Sequence, residues 1–246
     1  MIAVPFPRPG RKPKPASPDW PRRFELRAQA ARDSRLQSFY ESGVVDPNTP
    51  LSETPFVSLD LETTGMDREL DSIVSIGLVP FTLARIHCRE SRHWLLRPRR
   101  AFSEQSIVIH GITHDQINRA PDLLEVLEPL LGSLAGRVVL VHYRAIERPF
   151  LDRAVRTRLG EALEFPVVDT MEIEAGFHRS RKPGLIARVL GRQRVSIRLA
   201  ACRSRYNLPR YRAHHALTDA LATAELFQAQ VAHRLDENMP IRTLWR

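Results

Sequence analysis

The sequence predicts an α/β domain in which helices cover a mixed β-sheet. Apolar runs at residues 56–61, 73–81 and 84–96 follow one another with short links, which is typical of an antiparallel meander. After residue 120 the pattern changes, because helical periodicity alternates with short apolar runs. The sheet is therefore expected to combine an antiparallel meander with parallel strands.

Each element is predicted from its own pattern of apolar residues. Four apolar side chains share one helical face at residues 22–40, which predicts a helix ahead of the sheet. The first strand, at 56–61, runs into a Thr-Thr-Gly turn. The elements after the meander are a helix at 122–134, a strand at 138–141, a helix at 146–159, a strand at 167–168, and helices at 197–206 and 216–235.

Proline and charge divide the chain into four parts. Seven of the 19 prolines fall within residues 1–21, together with four Lys or Arg residues. This composition cannot bury enough apolar area to offset chain entropy, so it predicts a disordered, basic leader. A helical extension at 22–50, a main domain at 51–235 and a short tail at 236–246 are expected to follow.

The charge balance predicts a polyanionic partner, with nucleic acid as the first candidate. The chain has 37 Lys and Arg against 28 Asp and Glu, a net charge of +9 and a pI near 10.4. Residues 175–218 alone carry eleven Lys or Arg and no acid. The chain has only two cysteines, and their distance in sequence argues against a disulfide framework and a structural zinc site. The lack of a long apolar run argues against a signal peptide and a membrane span. A cytoplasmic protein is therefore expected.

Asp60 and Glu62 are the first candidates for metal chemistry. They are two residues apart in a strand, so both carboxylates project from one face and can chelate one cation. Apolar neighbours hold the pair at the end of a core strand, where unneutralised carboxylates would repel each other. Taken alone, the pair also fits an exposed strand edge.

Two further acids stand at the starts of predicted helices. Asp219 follows His214 by five residues, and Glu147 lies just after the strand at 138–141. A carboxylate near a helix start is favoured by the helix dipole, so each acid alone also fits an ordinary structural role.

Together, three segments resemble the motifs of the DEDDh 3′-5′ exonucleases, in particular the epsilon (proofreading) subunits of bacterial DNA polymerase III. They are LDLETTG at 59–65, the stretch 141–151 that contains Glu147, and HHALTDA at 214–220. Connecting stretches at 109–113 and 167–170 resemble the same family. Three motifs in the right order and spacing are far more specific than any one of them.

The resemblance implies an RNase H-like fold and stepwise removal of nucleoside monophosphates from 3′ ends of single-stranded or frayed DNA. It implies two Mg²⁺ or Mn²⁺ ions held by Asp60, Glu62, Glu147 and Asp219, with His214 as general base. A DNA polymerase is a candidate partner. The positions expected to contact nucleic acid, from the motifs and the basic segment, are Thr63, Thr64, Gly65, His110, Arg205, Arg210 and Arg212.

The second motif departs from the family pattern. It usually carries Asp where Glu147 stands, with Asn and a small residue where Tyr143 and Arg144 stand. Glutamate has the same charge and one more methylene, so it is still expected to ligand a metal, directly or through water. Two alternatives stay open: an RNA-directed exonuclease of the same family, and a nucleic-acid-binding subunit whose catalysis Glu147 has weakened.

Overall fold

The computed structural model describes residues 18–99, 112–179 and 195–246, so the predicted leader lies almost entirely outside the described residues. The strands are β1 (Phe56–Thr63), β2 (Ile73–Phe81), β3 (Arg92–Leu95), β4 (Val138–Val141) and β5 (Val167–Asp169). The helices are α1 (Trp20–Ala30), α2 (Ser34–Glu41), α3 (His114–Arg119), α4 (Leu123–Leu134), α5 (Glu147–Leu159), α6 (Thr170–Arg179), α7 (Leu199–Arg205) and α8 (Ala216–Arg234). No helix of the described ranges is both long and apolar enough to cross a membrane.

The five strands form one mixed sheet in the order β3-β2-β1-β4-β5. β1 pairs antiparallel with β2, and β2 pairs antiparallel with β3, which is the predicted meander. β4 pairs parallel with β1, and β5 pairs parallel with β4. The predicted α/β class with a mixed sheet is confirmed.

Helix α8 covers the centre of the sheet and anchors the main hydrophobic core. The ring of Phe227 on α8 lies 5.2 Å from that of Phe56 on β1 and 6.2 Å from that of Phe81 on β2, in edge-to-face contact. Such pairs stabilise a core beyond the area they bury. The helix is thus fixed over β1 and β2, the strands that carry the first motif.

The segments on either side of the main domain pack onto it. Phe24 of α1 contacts the rings of Phe39 and Tyr40 of α2, and the Tyr40 hydroxyl donates to the carbonyl of Ala162 at 2.8 Å. At the other end, Arg246 exchanges two backbone hydrogen bonds with Val167 and so extends the sheet beyond β5. The division into four parts stays a prediction.

Two predicted elements differ in extent from the structure. The helix expected at 22–40 is two helices, because Asp33 caps α2 by accepting from the amide of Arg35, and the carboxylate of Glu161 accepts from the amides of Arg32 and Asp33. The strand expected at 84–96 is shortened to β3, because residues 82–85 form a turn and Cys88–Glu90 a 3₁₀ turn.

Candidate active site

Two carboxylates project from one face of β1 near its end. Asp60 and Glu62 are two residues apart in the strand, so their side chains lie on the same face. Asp60 is half-buried and Glu62 is buried. Because Leu59 and Leu61 are buried on either side of them, the core fixes where both carboxylates stand.

A close approach between α8 and β2 brings the third carboxylate to this pair. Gly77 of β2 pairs with Asp60 across the sheet, and a Cβ at Gly77 would lie 2.3 Å from the carbonyl carbon of Ala216 and 2.4 Å from the amide nitrogen of Leu217. The first turn of α8 therefore fits only against a residue without a side chain. This contact sets Asp219, in that turn, beside β1.

Asp60, Glu62 and Asp219 form one acidic cluster. Each offers a carboxylate oxygen, and the three oxygens all lie within 4.8 Å of one another. Oδ2 of Asp219 also accepts from the amide of His214 at 2.7 Å, which ties the segment before α8 to the cluster. The structure thus brings together three of the four predicted metal ligands.

The histidines before α8 have different environments. His214 is exposed, and its backbone is held in the left-handed region at φ 68°. His215 is the N-cap of α8, and its ring lies 4.8 Å from that of His93, whose Nε2 is 2.8 Å from the Ser75 hydroxyl. The amide of the predicted general base, His214, is thus bonded directly to the cluster residue Asp219. His215 instead caps α8.

Glu147, the fourth predicted ligand, is the first residue of α5 and is 5% exposed. Its carboxylate lies outside the set of three clustered oxygens, and its Oε2 has no hydrogen-bond partner among the described residues. A buried carboxylate oxygen without a donor is costly. A cation or an ordered water beside it would relieve that cost.

Asp169, at the end of β5, holds the loop that leads to Glu147. Its carboxylate accepts from the amide of Tyr143 at 3.2 Å and from that of Arg144 at 3.1 Å. Tyr143 has a φ of 111°, which is unfavourable for a bulky residue. The charged acceptor therefore stabilises a loop conformation that the backbone disfavours, and so fixes the start of α5.

Electrostatics around the cluster favour a bound cation. Burial raises the pKa of Asp60 well above its ordinary value, and the neighbouring carboxylates of Glu147, Glu62 and Asp219 raise it further. Burial also raises the pKa of Glu147 and of Asp219. These carboxylates are held together against their own repulsion, and a divalent cation is the ordinary partner for such a set.

The donor chemistry fits Mg²⁺ or Mn²⁺. The clustered ligands are all carboxylate oxygens, which hard divalent cations prefer, and no cysteine belongs to the cluster. The unpartnered Oε2 of Glu147 adds a further oxygen donor near Asp60. The residues present are therefore suited to the metal ions that the sequence predicts.

Residues 64–72 link β1 to β2 as a hairpin loop that is held by its own hydrogen bonds. The Thr63 hydroxyl donates to the carbonyl of Gly65 at 2.6 Å, and the Thr64 hydroxyl donates to Asp71 at 2.9 Å. A Cβ at Gly65 would lie 2.5 Å from the Asp71 carboxylate, so a larger residue there would displace the Asp71 side chain. His110 lies outside the described residues.

The three predicted basic contacts divide into two kinds. Arg205 is exposed but already paired, because its guanidinium binds the buried Glu174 and donates to the carbonyl of Ser196. Arg210 and Arg212 are exposed. The roles of all three in binding nucleic acid stay predictions, as do those of Thr63, Thr64, Gly65 and His110.

Sequence reasoning did not single out Gly77 or Asp169. An isolated glycine within an apolar strand is a known sign of close backbone approach, so Gly77 carried a signal that could have been used. Asp169 lay in a stretch noted only as a connecting segment. Its role depends on two backbone amides 25 and 26 residues away, which no local pattern reveals.

Comparison with known proteins agrees with the fold and the motifs. The family model RNase_T, described as Exonuclease, matches residues 57–227. DNA polymerase III subunit epsilon of Treponema pallidum (strain Nichols) is 30% identical over 183 residues, which cover 74% of this chain and 79% of that protein. DNA polymerase III PolC-type of Thermotoga petrophila is 30% identical over 172 residues, and the match spans only 11% of its length.

Solved structures share the fold. The nuclease domain of 3′hExo, a DEDDh family member bound to rAMP, matches with a TM-score of 0.61 and 18% identity over 74% of this chain and 94% of that one. Exonuclease X in complex with 5′ overhanging duplex DNA matches with a TM-score of 0.54 and 21% identity over 76% of this chain and 99% of that one. The predicted RNase H-like fold is confirmed. Because its family model spans residues 57–227, the chain belongs to the RNase_T exonuclease family.

Proposed function

We propose that this protein removes nucleoside monophosphates, one at a time, from 3′ ends of single-stranded or frayed DNA. The observation that carries the proposal is the acidic cluster of Asp60, Glu62 and Asp219, whose ligand oxygens lie within 4.8 Å of one another. A partly buried oxygen cluster of this kind, in a basic protein of the exonuclease family, suits hydrolysis of a phosphodiester better than any other reaction.

Four carboxylates would hold a pair of Mg²⁺ or Mn²⁺ ions. Asp60, Glu62 and Asp219 supply the clustered oxygens, and Glu147 supplies its free Oε2 directly or through water. When bound, such ions stabilise the charge that develops on the phosphate oxygens and make an attacking water more acidic.

His214 is proposed to take the proton from the attacking water. An imidazole accepts a proton at physiological pH, and the exposed His214 lies five residues before Asp219 of the acidic cluster. The bond between its amide and Asp219 keeps its main chain at a fixed distance from the acidic cluster. Proton acceptor and metal ligands are thereby positioned together, which lowers the entropic part of the barrier.

The substrate strand is proposed to run over the basic surface after α7. Arg210 and Arg212 are exposed there, and phosphate contacts of this kind give sequence-independent, salt-sensitive affinity. The hairpin residues Thr63, Thr64 and Gly65 are proposed to meet the 3′ end. A DNA polymerase is the proposed protein partner, in line with the epsilon and PolC names of the relatives, and a cytoplasmic location stays a prediction.

The test follows the shortening of a 5′-labelled single-stranded DNA oligomer, and of the matched RNA, with Mg²⁺, with Mn²⁺ or with chelator. Wild-type protein should shorten the DNA stepwise from its 3′ end only when metal is present. Asp60→Asn and His214→Gln should each reduce the rate by about a hundredfold or more. Asp236→Asn, at an exposed acid after α8, serves as the matched control and should keep the wild-type rate.

Glu147→Asp tests the departure in the second motif. If Glu147 is a working ligand, shortening its side chain by one methylene withdraws the carboxylate and lowers the rate, because a misplacement of about 1 Å costs about a hundredfold. Faster trimming by the Asp variant would identify a weakened enzyme. No trimming of DNA or RNA with either metal, together with retained salt-sensitive binding, would overturn the proposal in favour of a binding subunit.

A further inference from the structure

A second surface feature adjoins the acidic cluster at the start of α8. A groove of ≈350 Å³ runs between α7, the loop that follows it and the first turns of α8. Asp219 belongs to its lining, so the groove begins where the cluster ends. Its walls are largely apolar, and include Leu199, Ala200, Leu208, Pro209 and Ala222.

Tyr211 stands in this groove as a fixed aromatic surface. The guanidinium carbon of Arg203 lies 4.6 Å from its ring centroid, and its hydroxyl donates to Oε1 of Glu225 at 2.9 Å. Tyr211 is nevertheless 39% exposed as a residue. A ring held in this way loses little freedom when a flat ligand stacks on it, which favours binding.

Arg203 holds the tyrosine in place. It is only 4% exposed, donates to the carbonyls of Ala222 and Pro209, and pairs with Oε2 of Glu225 at 2.7 Å. These bonds join α7, the loop and α8 into one unit. They also neutralise Glu225, so the acid nearest to Tyr211 does not repel an anionic ligand.

The groove has an exposed positive charge at Arg210 in addition to the carboxylate of Asp219. Arg210 lines the groove, is exposed, and makes no ion pair with any residue of the three described ranges. The sequence from residue 195 to 218 contains no Asp or Glu. An aromatic surface, apolar walls and an unpaired arginine together match a ligand that has a flat base and a phosphate.

We propose that this groove is a second nucleotide subsite, in which a base of the substrate strand near the cleaved nucleotide stacks on Tyr211 while its phosphate meets Arg210. The inference rests on the proposed function, since it assumes that the acidic cluster cleaves a nucleic-acid strand. It adds a place for a nucleotide other than the one removed. The enzyme would therefore hold oligomers more tightly than a single terminal nucleotide.

The test is binding of a 5′-fluorescein single-stranded DNA 12-mer to the full chain in chelator, followed by anisotropy, so that the readout does not depend on cleavage. Tyr211→Ala should weaken binding by about tenfold, because stacking on one aromatic ring contributes about that much. Tyr211→Phe keeps the ring and should stay within about twofold of wild type. Arg210→Ala should weaken binding and reduce the salt dependence by about one ion, whereas the matched Arg242→Ala, in the 3₁₀ turn Ile241–Thr243, should do neither.

A second arm locates the base. Oligomers that each lack one base are compared on wild type and on Tyr211→Ala, and one position is expected to lose affinity on wild type but not on the variant. Ala200→Leu, at an exposed helical position on the groove wall, fills the groove without touching Tyr211's bonds and should also weaken binding. Circular dichroism checks the fold of every variant.

The subsite would be overturned if each abasic position reduced the affinity equally on wild type and on Tyr211→Ala. It would also be overturned if Tyr211→Ala and Ala200→Leu both bound the intact oligomer with wild-type affinity. Hydrolysis of the p-nitrophenyl ester of thymidine 5′-monophosphate distinguishes failure of the subsite proposal from failure of the proposed function. That substrate has one nucleotide and does not need the second subsite, so its cleavage by wild type reports on the acidic cluster alone. If wild type cleaves neither this ester nor DNA nor RNA, the exonuclease is refuted and the binding result alone decides the subsite.

Discussion

Adding one methyl group at Gly77 should separate the two halves of the acidic site. In Gly77→Ala the new Cβ would lie 2.3 Å from the carbonyl carbon of Ala216, whereas ordinary van der Waals contact begins at 3.4 Å. The atoms it meets belong to the backbone of α8 and cannot rotate away, so the first turn of α8 must retreat by about 1 Å. Asp219 lies in that turn and would move away from Asp60 and Glu62.

A displacement of about 1 Å at a reacting centre costs about a hundredfold in rate. Overpacking of this kind also lowers the free energy of unfolding by about 1–3 kcal/mol, which for a chain of this length lowers Tm by several degrees. The assay is single-turnover trimming of a DNA oligomer at saturating Mn²⁺, together with Mn²⁺ affinity by calorimetry and Tm by circular dichroism. Both the rate and the Mn²⁺ affinity should fall.

Gly132→Ala is the matched control, because nothing lies within 4 Å of a Cβ at that helical position of α4. It should keep the wild-type rate and gain about 0.5–1 kcal/mol of stability from the better helix propensity of alanine. A folded Gly77→Ala variant with the wild-type rate and Mn²⁺ affinity would refute the argument. It would mean that the close approach of α8 to β2 does not set the position of Asp219.

Three other substitutions test the structure around the site. Asp169→Asn should lower the free energy of unfolding by about 1.5–3 kcal/mol, measured by urea unfolding, because the carboxylate holds the amides of Tyr143 and Arg144. Glu147→Gln should raise the Tm of the protein in chelator at pH 8, because burial raises the pKa of the Glu147 carboxyl and its ionised form opposes folding. This gain should shrink as the pH falls through the raised pKa, where the glutamate takes up a proton in the folded state. Arg203→Leu should cost about 3 kcal/mol, measured by urea unfolding, because it leaves a partly buried Glu225 without its cation.

Each of these tests has a contradicting outcome. Wild-type stability in Asp169→Asn would show that its hydrogen bonds do not support the loop before α5. A Tm difference between Glu147→Gln and wild type that is the same at pH 5 and pH 8 would show that ionisation of Glu147 is not its cause. An Arg203→Leu variant as stable as wild type would show that apolar packing fully replaces the ion pair.

The parts of the site that follow from short-range geometry were accessible from the sequence. Asp60 and Glu62 share a face because strand side chains alternate, and buried leucines on either side mark the strand as part of the core. The sheet could be predicted in the same way. Three linked apolar runs predicted its antiparallel half, and the alternation of helix and strand predicted its parallel half. These are consequences of the backbone period, which the sequence displays directly.

Other features depend on contacts between residues that are distant in the chain, and the sequence pattern does not predict them. The local charge pattern predicts a nucleic-acid contact for Arg205, which stays a prediction, and gives no sign that its guanidinium also pairs with Glu174, 31 residues earlier in the chain. The break between α1 and α2 depends on Glu161, about 130 residues later, as much as on the local cap. A run of arginines without acids gives the total charge of a surface, and the acids that bind individual side chains come from elsewhere in the fold.

The glutamate in the second motif is best understood through the loop that carries it. Glu147 begins α5 immediately after a segment whose conformation Asp169 fixes through two amides, including that of the strained Tyr143. Its carboxylate is close enough to Asp60 to raise the pKa of that group, although it stays outside the set of three clustered oxygens. A carboxylate that is buried, near a metal site and without a hydrogen-bond donor is expensive to keep unless something binds it. The cost of retaining Glu147 in this position is therefore itself an argument that it faces a cation or its water in the working protein.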